Sequence, residues 1–174
     1  MPDEKNRLPE LARDLMTVGV RTCSPRMPLG DLARLLLEED LESVVVLGQE
    51  GHAVGVVGRD EVIAAYARYG VSGLAVEDVM CAAIPQIPPD LPLTAAAQLM
   101  RDKGVRALYL LHHGGGIEYP SAVISYKHLL RLVAARSADD LRDLGARAER
   151  ETPLEAFRRK AEAGQRAARH GNRE

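Results

Sequence analysis

Apolar residues between positions 9 and 136 alternate between two rhythms. Leu29, Leu32, Ala33, Leu36 and Leu37 fall at helical spacing behind Pro28, which suits the first turn of a helix running to about Glu39. Ser43 to Leu47 is a short β-branched run of the buried-strand type, Gly48 to Gly51 reads as a turn, and Ala53 to Val57 reads as a second strand. Arg59 to Tyr69 returns to helical spacing and stops at Gly70. A short helix over Pro9 to Met16 and a short strand around Arg21 to Cys23 complete the order β-α-β-β-α.

The same pattern is then written a second time, 64 positions later. Asp14, Met16, Pro25, Pro28, Leu29, Ala33, Leu35 and Leu47 recur as Asp78, Met80, Pro89, Pro92, Leu93, Ala97, Leu99 and Leu111. Val76 to Met80 leads in, Pro85 to Ile87 is the short strand, and Pro92 to Lys103 is a helix closed by Gly104. Ala107 to Leu111 is a strand, His112 to Gly116 a longer hairpin turn that raises the offset to 67, Tyr119 to Ile124 the returning strand and Tyr126 to Ala135 the closing helix. Two copies of this length cannot form a solenoid. They predict a mixed α/β (α+β) fold whose halves pack about a pseudo-twofold axis, creating two related clefts where a ligand can sit.

Composition narrows this picture. At 174 residues, each half is too small to be stable alone, so mutual burial is expected. Without Trp and with one Phe, the core must be aliphatic. The net charge of −2 gives no general pull toward nucleic acid or membrane. Cys23 and Cys81 are not equivalent in the repeats and read as independent thiols. No apolar run approaches the ~18 residues of a membrane span, and Met1 to Arg7 is polar, so a soluble, cytoplasmic protein is expected. After Arg136 the repeat stops. Ser137 and Asp140 are spaced as a capping box, and Thr152-Pro153-Leu154-Glu155 is a second helix start. From Arg150 to Glu174, seven Lys/Arg face four Glu, which makes this a basic-leaning helical tail.

The lead-in "DLM…P", the helix start "P-L-x-x-x-A" and the junction "G-V-V-G-R-D-E-V" resemble cystathionine-β-synthase (CBS) domains. The resemblance implies CBS repeats over 9–70 and 74–136, followed by a C-terminal region 137–174. It implies a stand-alone CBS pair (a Bateman module) that forms a homodimer and binds adenosine-containing ligands in its clefts. In such domains the third strand reads Gly-apolar-apolar-Thr/Ser, with Asp three residues on to accept hydrogen bonds from the ribose hydroxyls. Here the first copy reads Gly55-Val56-Val57-Gly58-Arg59-Asp60-Glu61, and the second reads Ala122-Val123-Ile124-Ser125-Tyr126-Lys127-His128. Neither keeps the full pair. The ligand-binding candidates are therefore Gly58, Arg59 and Glu61 in one half and Ser125, Lys127 and His128 in the other, with Val20 and Ile84 matching the walls of the adenine pocket. The first half suits a weakened ribose site, while the second suits a small anion such as phosphate.

No Ser/His/Asp set, paired carboxylates or phosphate-cradling glycine loop appears, so catalysis is not expected. His112-His113 lacks a third ligand at a useful spacing, so no metal site is expected. The expectation is a regulatory module that needs no cofactor and takes an adenine nucleotide (AMP, ADP or ATP) or another small anion. The alternative is a degenerate pair acting as a dimerisation or protein-partner scaffold through its C-terminal helices. Nucleic acid and membrane are not expected partners.

Overall fold

The computed structural model describes residues 7–70 and 72–144. Two three-stranded sheets, each flanked by helices, face each other across an aliphatic core. The first half contributes β2 (Thr22–Cys23), α2 (Leu29–Glu38), β3 (Ser43–Leu47), β4 (Ala53–Gly58) and α3 (Arg59–Tyr69). The second contributes α4 (Leu93–Lys103), β5 (Ala107–Gly114), β6 (Ile117–Ser125) and α5 (Tyr126–Ala134). Two short elements precede the first half, α1 (Ala12–Leu15) and β1 (Thr17–Val18), and α6 (Ala138–Asp143) follows the second. The sheet orders are β2-β3-β4 and β1-β6-β5.

The second order records an exchange between the halves. β1, which leads into the first half, pairs antiparallel with β6 of the second, with Thr17 opposite Val123. Reciprocally, Cys81 leads into the second half and bridges Val56 of β4, with N–H···O distances of 2.8 Å in both directions. The same reciprocity recurs one turn earlier. Ala12 N–H donates to Leu91 O and Leu93 N–H to Glu10 O, while Val76 N–H donates to Met27 O and Leu29 N–H to Leu74 O. Each half's lead-in thus buries its apolar residues in the other half's core: Ala12, Leu15 and Met16 pack with Leu93, Met100 and Ile124, and Val76 packs with Leu29, Leu36 and Val57. A third cluster, including Val45, Val56, Ala107, Tyr109 and Leu111, fills the seam between the sheets.

This exchange explains Gly55. A Cβ there would lie 2.7 Å from the Cys81 carbonyl oxygen, so the glycine admits the crossing backbone.

The observed elements depart from the sequence expectations at a few places. Leu37 is 75% exposed, and the helix buries Leu29, Leu32 and Leu36. Pro85 to Ile87 makes only a parallel bridge, Gln86 to Tyr109, rather than a strand. His112 and His113 belong to β5, which runs on to Gly114, so the turn shrinks to Gly115 and Gly116 with φ of +60° and +80°. The Ser137 cap forms as its spacing predicts, accepting from Asp140 N–H at 3.1 Å. The helix start at Thr152 lies outside the described residues. Cys23 is buried and Cys81 exposed, both as free thiols; burial pushes the Cys23 thiol up to about 11, which makes it inert.

Candidate functional site

The fold brings together the end of one half's last strand, the following helix N-terminus, and the helix-to-strand loop of the opposite half. This happens twice. The narrow cleft lies between Gly58–Glu61 and the segment Gly104–Ala107, with Pro85 at its edge. The wide cleft lies between Ser125–Arg131 and the segment Glu39–Ser43, with Thr17 to Arg21 at its edge. Applying the repeat offsets converts one set of positions into the other. The volumes nevertheless differ, at about 80 Å³ for the narrow cleft and about 360 Å³ for the wide one.

An ion pair joins the two sides of the narrow cleft. Arg106 and Asp60 come from opposite halves and meet in the narrow cleft through two hydrogen bonds, both 3.0 Å. The equivalent positions in the wide cleft are Glu42 and Lys127, with the charges reversed. That pair is not made. Lys127 instead reaches Asp40, bonding its carboxylate and donating to its main-chain carbonyl at 2.6 Å. Asp40 also accepts from Arg59 Nη2 at 3.0 Å, and the two cations hold its carboxyl below the usual range. Glu42 has its Oε2 buried with no hydrogen-bond partner among the described residues, its carboxylate lying 3.9 and 4.0 Å from Arg59 and Arg106. Its charge is balanced, but its hydrogen-bonding capacity is not.

The two positions matching the family's acid are both engaged at helix starts. Glu61 Oε2 accepts from Gly58 N–H at 2.9 Å, capping α3. His128 Nδ1 accepts from Ser125 N–H at 3.0 Å and faces Ser125 Oγ at 2.9 Å, so Nε2–H donates to Thr17 Oγ1 at 2.9 Å. Burial, then the charges of Arg131 and Lys127, push His128 down to about 4, so the imidazole is neutral near pH 7. It offers a phosphate no charge. Gly58, at the hydroxyl position, is hemmed in: a Cβ there would lie 2.6 Å from Glu42 O and 2.7 Å from Ser43 Cβ.

Of the residues singled out in the sequence, Val20, Ser125, Lys127 and His128 line the wide cleft, while Gly58, Arg59 and Glu61 line the narrow one. Ile84 packs against the seam cluster, as Val20 does, and lines neither cleft. Sequence reasoning missed Asp40, Glu42, Arg106 and Tyr109. Tyr109 is fully buried at the seam, where its hydroxyl meets Ser43 Oγ at 2.7 Å and burial raises its pKa. The signal for the first three was the repeat itself, because the loops at 39–43 and 103–107 are equivalent and face the two clefts.

The CBS domain model matches residues 12–68 and 76–135, more than half of the chain. The chain belongs to the CBS domain family. Among solved structures, this CBS pair resembles that of protein MJ0100 in complex with 5′-methylthioadenosine and S-adenosyl-L-methionine, with a TM-score of 0.63, 15% identity, and 72% of this chain and 98% of that one covered. The CBS-domain protein ATU1752 from Agrobacterium tumefaciens also has a TM-score of 0.63, at 17% identity over 76% of this chain and 97% of that one. CBSX2 in complex with AMP has a TM-score of 0.57 and 20% identity, covering 72% and 97%. By sequence, the uncharacterized protein MJ1426 of Methanocaldococcus jannaschii is 35% identical over 65 residues, 37% of this chain and 39% of that protein. At these identities the solved structures establish the fold. Among the described residues, no helix is long and apolar enough to cross a membrane, and no group of three or more His, Cys, Asp or Glu could hold a metal.

Proposed function

We propose that this CBS pair is a non-catalytic, cytoplasmic regulatory module that binds one small ligand of the adenine-nucleotide class per chain, in the wide cleft. The observation that carries the reading is the asymmetry of the clefts. At about 360 Å³ the wide cleft falls within the ~300–1,000 Å³ of small-molecule sites, and the narrow one, at about 80 Å³, falls well below it. Val20, Val123 and Ala107 offer an apolar wall for a flat base, while Thr17, Ser43 and Lys127 offer polar groups on the same surface. MJ0100 and CBSX2, which share the fold, were solved with adenosine-containing molecules, and this supports the ligand class.

A thermal-shift screen with AMP, ADP, ATP, S-adenosylmethionine and NAD tests the reading. A saturable rise in melting temperature, abolished by Val123→Trp in a variant that keeps its circular dichroism, is the expected result. No shift at millimolar concentration would overturn it.

A second observation favours self-association. Ile63 and Tyr66 on α3 and their equivalents Leu130 and Val133 on α5 are 64, 66, 67 and 83% exposed. Large apolar side chains at matched positions of two related helices suit a homodimer interface. Tyr66→Glu combined with Val133→Glu should convert a dimer to a monomer in sedimentation. A wild-type monomer at all concentrations would rule the interface out.

A further inference from the structure

Lys127 lines the wide cleft with 71% of its side chain withdrawn from solvent, yet its ammonium is occupied by a residue of the protein. Asp40 supplies both a carboxylate and a carbonyl oxygen to it, across 87 residues of sequence. Asp40 does this from a backbone that disfavours it. Its φ is +51°, and the equivalent residue in the other half is Gly104 at +64°. A helix end in this left-handed conformation takes glycine most readily, and Asp only with some strain. Gly104 shows that the turn needs no carboxylate. The carboxylate at 40 therefore serves its two cations, Lys127 in the wide cleft and Arg59 beside it, rather than the chain reversal.

The surroundings fit a stand-in. Asp40 is 69% exposed and has a second cation, Arg59 Nη2 at 3.0 Å, to keep when it releases Lys127, whereas Lys127 is held inside. His128, next to Lys127 on α5, is neutral and committed to Ser125 and Thr17, which leaves Lys127 as the cation that an incoming anion meets at the start of α5. An exposed carboxylate is a weak competitor for such a cation, because solvent screens it. A phosphate placed by a ligand already seated in the cleft is a stronger one.

We propose that Asp40 is an internal placeholder for the anionic group of the ligand, and that binding exchanges Asp40 for a ligand phosphate on Lys127. This rests on the reading that the wide cleft holds the ligand, and it adds which end of the ligand goes where. The exchange forms and breaks only ion pairs.

Titration calorimetry at low ionic strength with AMP, adenosine and inorganic phosphate tests the exchange. Wild type should bind AMP roughly tenfold to a hundredfold more tightly than adenosine, as expected for a charged hydrogen-bonded contact. Asp40→Gly, which also relieves the backbone, and Asp40→Asn should both tighten AMP about two- to fivefold and leave adenosine unchanged. Lys127→Met should bring AMP down to the level of adenosine. If AMP and adenosine bind alike to wild type, or if the Asp40 variants bind AMP no better, the exchange is overturned while the cleft remains a nucleoside site. If phosphate alone binds, and binds better to Asp40→Gly, the exchange stands and the nucleotide reading falls. If none of the three binds, both fall.

Discussion

The two clefts are built from equivalent positions on equivalent elements, yet they differ more than fourfold in volume, about 80 Å³ against about 360 Å³. In the narrow cleft, Arg106 and Asp60 reach across from opposite halves and join through two hydrogen bonds of 3.0 Å. In the wide cleft the same positions hold Glu42 and Lys127, and the second of these is drawn aside by Asp40. Duplication supplied two sites, and Asp40, which stands where the other half has Gly104, draws Lys127 away from Glu42. The lesson is that a few rim residues, by their choice of partner, can set apart two clefts built at equivalent positions.

The largest effect expected from breaking this comparison lies at one of the two helix caps, His128. In the unfolded chain, an imidazole takes its proton below about pH 6.5, whereas folded His128 does so only below about 4. Acid therefore favours unfolding across that window: the contribution of the neutral imidazole is full above pH 6.5 and lost as the pH falls through 4. Its size is about 3 kcal/mol. His128→Gln keeps a cap acceptor and removes the titration, so its stability by urea denaturation should fall less than that of wild type between pH 6.5 and 4. Parallel curves would show that His128 does not titrate in this way.

Next in size are the glycines that have a side chain in the other half. Ala122 and Ser125 occupy the positions equivalent to Gly55 and Gly58. Yet Gly55→Ala would press on the Cys81 carbonyl at 2.7 Å, and Gly58→Ser on Glu42 O at 2.6 Å. Each should cost about 1–3 kcal/mol in denaturation. Restoring the hydroxyl that the family carries would then destabilise the protein instead of improving its ribose contacts. An unchanged melting temperature for Gly55→Ala would mean that the lead-in at Cys81 packs less tightly on the other half than described, and one for Gly58→Ser that β3 and β4 part more easily at that end. The smallest effect is expected for Asp60→Ala. It breaks an exposed pair worth less than about 1 kcal/mol, so stability should barely move, while the narrow cleft should gain access for small probes in ligand-observed NMR.

Much of the fold was legible in the sequence, because its signals are local. The β-branched run from Ser43 to Leu47 and the helix from Arg59 to Tyr69 were placed to the residue, and the 64-residue offset implied the twofold arrangement. What escaped depends on contacts between the halves. The exchange of lead-ins consists of main-chain hydrogen bonds, which leave no side-chain pattern beyond a glycine, and Gly55 reads equally well as room for a ligand. Leu37 sits one position outside the buried face, and only packing separates it from Leu36. Lys127 was visible as a cation near a helix start, but Asp40 looked like an ordinary residue in a polar turn. Its role emerges only when residue 40 is brought beside residue 127 and compared with Gly104.

The most direct test of the whole account is the number of AMP molecules bound per chain, measured by isothermal titration calorimetry on wild type and Val123→Trp. The account predicts one site per chain in wild type and none in the variant. Two sites per chain, or one that survives the tryptophan, would contradict it.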